Sequence, residues 1–310
     1  MRRPRLLITG AGGLLGQALC QEAVNGWTVI ALCRNTVPSI PGVRVLTADI
    51  TDSPGLGDAF TRARPDAVIH AAALSRPNAC ELDPETSAAV NLAGTIQLGT
   101  RCATAGVPLV FTSTDLVFDG TRPPYGEDDP VSPISVYGRH KSLAEARLKA
   151  ICPSATICRL PLLFGHHPAG GGFLGELVST LDSGGRPRLF TDEHRTPLST
   201  RSAARGLLTL LAHPGRLLHL GGGRRVSRYA FGLQVAALMH LPAARILPIR
   251  QGDLEMPAPR SPDVSLDNRS ARRLGFDPGC FDEDLAAAVG QFTPPAPPCG
   301  PAALQAPATH

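Results

Sequence analysis

Short apolar runs alternate with amphipathic stretches through the first half of the chain. Residues 5–9, 27–33, 43–48, 67–71, 109–113 and 155–160 each read as a strand. These runs are nearly continuously apolar, the pattern of strands covered on both faces. Between them lie stretches of helical period. In 14–25, Leu14, Leu15, Ala18, Leu19 and Ala23 fall near one face. Residues 87–105 read as one long helix and 137–150 as another. Strands alternating with helices, joined by right-handed crossovers, predict an α/β fold with a doubly wound parallel sheet of the Rossmann type.

The pattern changes after residue 165. Residues 166–175 are rich in glycine and histidine and read as a loop, 195–211 as a loop and a helix, and 217–220 as a further strand. From 227 onward, short helices and proline-rich turns follow. The expected organisation is a nucleotide-binding domain over 1–165, with 196–225 returning to it. A smaller C-terminal substrate lobe takes 166–195 and 226–292. Residues 293–310 are mostly Pro and Ala and are expected to be disordered.

Composition narrows the partners. The 310 residues are 43% hydrophobic, enough for a sizeable core, and carry a net charge of +4. Charges alternate in sign with no dense basic block, so no nucleic-acid partner is expected. No stretch nears the roughly 18 apolar residues of a membrane span, so no membrane partner is expected either. Eight cysteines are scattered without a Cys-x-x-Cys, which suits a reducing, cytoplasmic setting. His166 and His167 are adjacent with no Cys or carboxylate close by, which favours a loop role over a metal site. A homodimer is left open.

The segment Ile8-Thr-Gly-Ala-Gly-Gly-Leu-Leu-Gly16 lies between a predicted strand and a predicted helix. Gly10 permits a tight turn, Gly13 lets the backbone approach a diphosphate, and Gly16 lets the helix pack on the strand. The helix N-terminus then offers free N–H groups to phosphates. No Asp or Glu closes the second strand; Arg34 follows Cys33 instead. An arginine can pair a 2′-phosphate, so NADP(H) is favoured, with NAD(H) as the alternative; Arg34 as a plain solvated charge stays open. Asp49 follows the third strand, as an adenine acceptor or as a turn carboxylate. The cofactor set is Gly10, Gly12, Gly13, Leu14, Leu15, Gly16, Arg34, Asp49, Ile50, Ala71, Ala72 and Ala73, with Tyr137 and Lys141. The ring of His70 is expected to pack or to bond to backbone.

Tyr137-Gly-Arg-His-Lys141 sets a phenol and an amine on one helix face, in a chain with three tyrosines and two lysines. A cation beside a phenol lowers its pKa, which suits Tyr137 as proton donor to a carbonyl. A surface pair or a helix-start role is the alternative. Ser113 and Thr114 leave the fifth strand at its carboxyl end, where ligands bind in this architecture, or they stabilise a turn.

Together, ITGAGGLLG, HAAA, CELDPETSAAVNLAGT, STDLVFDG, YGRHK and RLPLLFG resemble the extended short-chain dehydrogenase/reductases, specifically the dTDP-4-dehydrorhamnose reductase-like branch. The resemblance implies an oxidoreductase that reduces a 4-keto nucleotide sugar with NADPH. It implies Thr114 as active-site hydroxyl, Tyr137 as general acid, Lys141 as its partner, and Asn91 as organiser of the site. Substrate residues would be Ser75, Thr114 and Arg195; Arg195 matches a nucleotide contact, and a structural ion pair is the equal alternative. Leu116 and Leu162 stand where rhamnose-pathway reductases usually carry Tyr and Trp. The chain is also similar to the regulatory β subunit of methionine adenosyltransferase, and an epimerase or dehydratase of the same superfamily is a further alternative.

Overall fold

A computed structural model describes residues 2–35 and 40–292. The proposed disordered tail, 293–310, lies outside the described residues. Six strands, β1 (Arg5–Thr9), β2 (Thr28–Cys33), β3 (Val43–Thr47), β4 (Ala67–His70), β5 (Leu109–Thr114) and β6 (Thr156–Leu160), join Leu217–His219 in a seven-stranded sheet. The spatial order is Leu217–His219, β6, β5, β4, β1, β2, β3, and every pairing is parallel. Strand order reverses between β1 and β4, which pair from Leu6 opposite Ala67 to Thr9 opposite His70. A doubly wound sheet opens its ligand crevice at the carboxyl ends of such a pair.

The helices are α1 (Leu14–Ala23), α2 (Ser53–Ala63), α3 (Pro77–Leu82), α4 (Pro84–Ala88), α5 (Gly94–Ala105), α6 (Val136–Ile151), α7 (Gly172–Asp182) and α8 (Thr200–Leu210), followed by shorter C-terminal ones. One core layer lies on the α1 and α8 face, with Leu19, Ala203 and Leu207 buried against Ile8 and Val29. The opposite layer buries Leu56, Leu98, Ala144 and Leu148 against Leu7 and Val68. A third cluster, built on Phe164, Leu177, Phe231, Val235 and Leu285, forms beside the sheet.

Three stretches differ from the sequence reading. Helix α2 was not foreseen; its buried Leu56, Ala59 and Ala63 are few among polar residues and glycine, so its period is faint. The single helix expected over 87–105 is α4, a π-helical turn over Ala89–Ala93, and α5. The loop expected over 166–175 gives way to α7 at Gly172, whose φ is +83°. Leu174, Leu177, Val178 and Leu181 are its buried stripe, and glycines at its start mask that period.

Gly16 is the tightest point of the first βα unit. A Cβ there would lie 2.1 Å from the Gly10 carbonyl oxygen. Gly16→Ala is therefore expected to cost about 1–3 kcal/mol of stability in urea titration. Gly26→Ala, where a Cβ meets nothing within 4 Å, is expected to change it by less than about 0.5 kcal/mol. Equal losses for the two variants would refute the packing argument.

Candidate active site

The glycine turn sits against the segment that follows β4. Gly10 has φ +69°, and a Cβ there would lie 2.6 Å from the Ala72 backbone. Gly13 is the extended N-cap of α1, with no side-chain cap bond and no acidic residue in the first turn. The first N–H groups of α1 thus keep their capacity for an anion. Gly12, Leu14 and Leu15 are half-buried beside it, as are Ala71, Ala72 and Ala73. This cradle, which side chains would fill, fits a dinucleotide diphosphate.

Arg34 follows β2 with 69% of its side chain exposed, and among the described residues it pairs with Asp49 at 4.0 Å. Asp49 Oδ1 accepts from the Thr51 N–H at 2.9 Å and from the Thr51 hydroxyl at 2.7 Å. Those bonds hold its carboxyl below the usual range, with Arg34 adding to the effect. Asp49 therefore acts at least as a turn carboxylate. Ile50 is buried under Gly94 of α5, where a Cβ would stand 3.1 Å from it.

At the other side of the crevice, α6 begins in direct contact with the turn after β5. Ser135 caps it by accepting from the Gly138 N–H at 3.1 Å, and Glu81 accepts from the Val136 N–H at 3.0 Å. A Cβ on Gly138 would lie 2.1 Å from the Leu116 carbonyl oxygen. That approach brings buried Tyr137 to the Thr114 hydroxyl and to Asp115. One helical turn on, Lys141 is 1% exposed and its Nζ lies 4.1 Å from the centre of the Phe111 ring on β5. The phenol and the amine therefore face the same strand end.

Electrostatics correct one expectation. Tyr137 is not driven down by Lys141; burial pushes its phenol up, and Cys80 and Asp115 add to the shift. Burial brings the Lys141 ammonium down to about 7, against the pull of Glu145. Losing water outweighs the cation's attraction for a phenolate, because both groups sit in the same dry pocket.

A directional chain of hydrogen bonds lies behind the site. Thr95 donates to the Asn91 carbonyl at 2.9 Å, so its oxygen accepts from His70 Nε2 at 3.0 Å. His70 Nδ1 then accepts from the Thr9 hydroxyl at 2.6 Å, and Thr9 accepts from the Ala72 N–H at 3.3 Å. The network assigns this tautomer. Burial brings the ring down to about 3, so His70 stays neutral; it packs on Phe111, and its nitrogens bond two side-chain hydroxyls rather than backbone. Asn91 accepts from the Leu74 N–H and donates to the Leu74 carbonyl, both at 3.0 Å. It is a positioning residue for the loop after β4, presented by the π-helical turn. Ser75, next in that loop, is exposed at the rim.

Arg195 is 3% exposed. Its guanidinium meets Asp115 at 3.6 Å and Glu193 at 3.4 Å, and donates to the carbonyls of His194 and Ser261. The geometry is that of the structural ion pair, the alternative to a nucleotide contact. Burial alone would raise Glu193, but Arg228 and Arg195 hold it at about 2. Burial raises Asp115 to about 6 despite Arg195, and its Oδ2 has no hydrogen-bond partner among the described residues.

Two further residues were not read from the sequence. Glu145 accepts from the Ser113 hydroxyl and takes Arg159 through Nε at 3.0 Å and Nη2 at 2.8 Å, tying α6 to β5 and β6. Arg260 donates to Asn78 Oδ1 at 3.4 Å, and its Nε is buried without a partner among the described residues. Glu145 stands four residues after Lys141, a spacing that signals a shared helix face; Arg260 has no local signal.

Burying Lys141 costs stability, and the cost depends on pH. Its value falls from the ordinary 10.5 to about 7 in the folded chain. Between those values the unfolded chain holds one more proton, so stability rises with pH across that window. Below pH 7 the burdened ammonium persists in both states. Lys141→Met is expected to melt about 2 °C or more above wild type at pH 6 without ligand, the gap narrowing from pH 7 to 10. A lower melting point for Lys141→Met at pH 6 would contradict this account.

Comparisons with known proteins follow the same lines. Residues 4–293 match the model of the family described as the RmlD substrate binding domain. The chain is similar to a probable low-salt glycan biosynthesis reductase, Agl14, of Haloferax volcanii, 31% identical and covering 92% of this chain and 97% of that protein. It is also similar to methionine adenosyltransferase 2 subunit beta of Danio rerio, 26% identical over 88% of this chain and 85% of that one. The solved structure of a hypothetical dTDP-4-dehydrorhamnose reductase from Sulfolobus tokodaii superposes with a TM-score of 0.78, at 30% identity, over 90% of this chain and 98% of that one. A match spanning nearly the whole chain, on a sheet and a Tyr-Lys pair of this geometry, places the chain in the RmlD-like family of extended short-chain dehydrogenase/reductases.

Proposed function

We propose that this chain is an NADPH-dependent reductase of a 4-keto nucleotide sugar. The observation that carries the reading is the buried Tyr137–Lys141 pair facing Thr114 at the carboxyl end of β5, across from the glycine turn after β1. The glycine cradle and the free start of α1 would hold the diphosphate, and exposed Arg34 would meet a 2′-phosphate. The bound cofactor would supply hydride to the sugar carbonyl carbon. Thr114 and Tyr137 would hold the carbonyl oxygen, and Tyr137 would pass its proton to that oxygen. The raised phenol keeps that proton until it is needed, and the Lys141 ammonium would stabilise the phenolate left behind.

On the substrate side, Asp115 Oδ2, ion-paired with Arg195 but without a hydrogen-bond donor among the described residues, would accept from a sugar hydroxyl. Arg260, rather than Arg195, would meet the diphosphate of the sugar nucleotide, because Arg195 is committed to two carboxylates. Leu116 and Leu162 argue for a sugar that needs no aromatic frame at those positions. The Haloferax relative's name as a glycan biosynthesis reductase supports the same substrate class. Among the described residues no helix is long and apolar enough to cross a membrane, consistent with small-molecule chemistry in water.

A second reading, a regulatory subunit that binds the cofactor without turnover, is favoured by the Danio rerio relative. Following NADPH absorbance with a panel of dTDP- and UDP-4-keto sugars separates the two. We expect consumption with at least one substrate. Tyr137→Phe should lower turnover about a hundredfold or more while leaving NADPH binding intact. Binding of NADPH with no consumption across the panel would favour the regulatory reading.

A further inference from the structure

The substrate side of the crevice holds more positive charge than its carboxylates can pair. Arg228 opens the helix Arg228–Leu238, and its backbone N–H donates to the Glu193 carbonyl at 3.0 Å. Its Nε donates to Glu193 Oε1 at 2.7 Å, and its guanidinium lies 4.4 Å from the centre of the Phe173 ring. Those contacts use the Nε–H and one face of the plane. The side chain is only 16% exposed, yet among the described residues its two Nη groups have no hydrogen-bond partner. Arg260 belongs to the same cluster: burial brings its guanidinium down, Glu193 opposes the fall, and Arg228 and Arg195 add to it. The charge of Arg228 also reaches Asp115, which acts in turn on Tyr137. Three guanidiniums thus share two carboxylates, Glu193 and Asp115, and Arg195 already meets both. Asp263, further along the chain, is taken by Arg225 at 2.6 Å. One positive charge is left over in a largely buried place, and the surplus grows when Asp115 is protonated. A cation withdrawn from water calls for an anion beside it, and among the described residues none is left to serve.

We propose that Arg228 is a substrate-binding residue, the second arginine of an anion subsite in which the diphosphate of the sugar nucleotide is gripped between the Nη groups of Arg228 and the guanidinium of Arg260. This rests on the reductase reading above and adds a residue to its substrate side. The two side chains come from separate parts of the chain, and each is held by its neighbours. Phe173 and Glu193 fix the plane of Arg228 and leave its outer fork of N–H groups uncommitted. Asn78 steadies Arg260: its Oδ1 accepts from the Ala258 N–H and from Arg260 Nη2, both at 3.4 Å. Ser261, the next residue, donates its hydroxyl to the Phe118 carbonyl at 2.9 Å, and its own carbonyl accepts from Arg195. A planar fork of donors matches phosphate oxygens, and bonds to a charged group are stronger than neutral ones. Side chains already held in place lose little freedom when the anion arrives.

The test is a calorimetric titration of dTDP and of UDP into the full chain saturated with NADP+, wild type against Arg228→Gln and Arg228→Lys. These probes carry the diphosphate and no sugar. Loss of hydrogen bonds to a charged group predicts that Arg228→Gln binds whichever nucleotide the wild type takes about tenfold or more weakly. Arg228→Lys keeps the charge without the fork and is expected to lose less. Added salt should weaken binding by the wild type more steeply than by Arg228→Gln, because the variant has lost a charged contact. NADPH affinity should stay within about twofold in all three proteins, since the glycine turn is a separate site. If Arg228→Gln does not fold, Arg228→Lys decides, and a nucleotide affinity equal to wild type in that variant counts against the fork. Equal nucleotide affinity and equal salt dependence for wild type and Arg228→Gln overturn this inference alone. Binding of neither nucleotide by the wild type overturns the sugar-nucleotide reading and this inference with it.

Discussion

The site depends on a backbone contact that leaves no room for a side chain. Where α6 begins, the space for a Cβ on Gly138 is taken by the Leu116 carbonyl, 2.1 Å away. The helix can press onto the turn after β5 only because residue 138 is glycine. That contact fixes the distance between the strand end bearing Thr114 and the helix bearing Tyr137 and Lys141. A matching constraint acts on the other wall, where Gly10 meets the Ala72 backbone and Gly16 meets Gly10. Two close approaches, one after β1 and one after β5, frame a crevice at the point where the sheet reverses its order.

Around that frame the protein buries more charge than a core would choose. Lys141, Asp115, Glu145, Arg159, Glu193 and Arg195 are all buried. Isolated, each would be expensive; paired, they hold geometry at a modest net cost. Glu145 and Arg159 meet in a two-bond fork, and Arg195 is shared between Asp115 and Glu193. Lys141 has an aromatic face beneath it and Glu145 one turn away, yet burial still brings it to about 7. Tyr137 is buried so deeply that it holds its proton firmly. A dry, rigid pocket with a protonated phenol and a poised amine suits proton delivery to a developing oxyanion.

Much of this was legible in the chain itself. Strand β1 was read at its observed bounds, and the other six sheet strands, Leu217–His219 included, were read within one residue at each end, because buried parallel strands announce themselves as continuous apolar stretches. The Tyr137–Lys141 pair was legible because four-residue spacing fixes a shared helix face. What the sequence hid were partners brought in from far along the chain. For Arg195 the sequence left a nucleotide contact and a structural ion pair equally open, and its carboxylate partners Asp115 and Glu193 are seen only in the fold. Arg260 carries no local pattern at all. His167 looked like an ordinary loop residue, and only the fold reveals that the loop lies on Gly12. The lowered phenol expected for Tyr137 failed for the same reason: spacing reports direction, and it says nothing about how much water is excluded.

The central claim is that this crevice moves a hydride from the reduced nicotinamide to a sugar carbonyl, with the phenol supplying the proton to oxygen. It is tested most directly by turnover of a 4-keto nucleotide sugar with NADPH carrying deuterium at both C4 positions of the nicotinamide, the product being read by mass spectrometry and NMR. The account predicts one deuterium per molecule, bonded to C4 of the reduced sugar. A reduced sugar without that label, or label at another carbon, would contradict it.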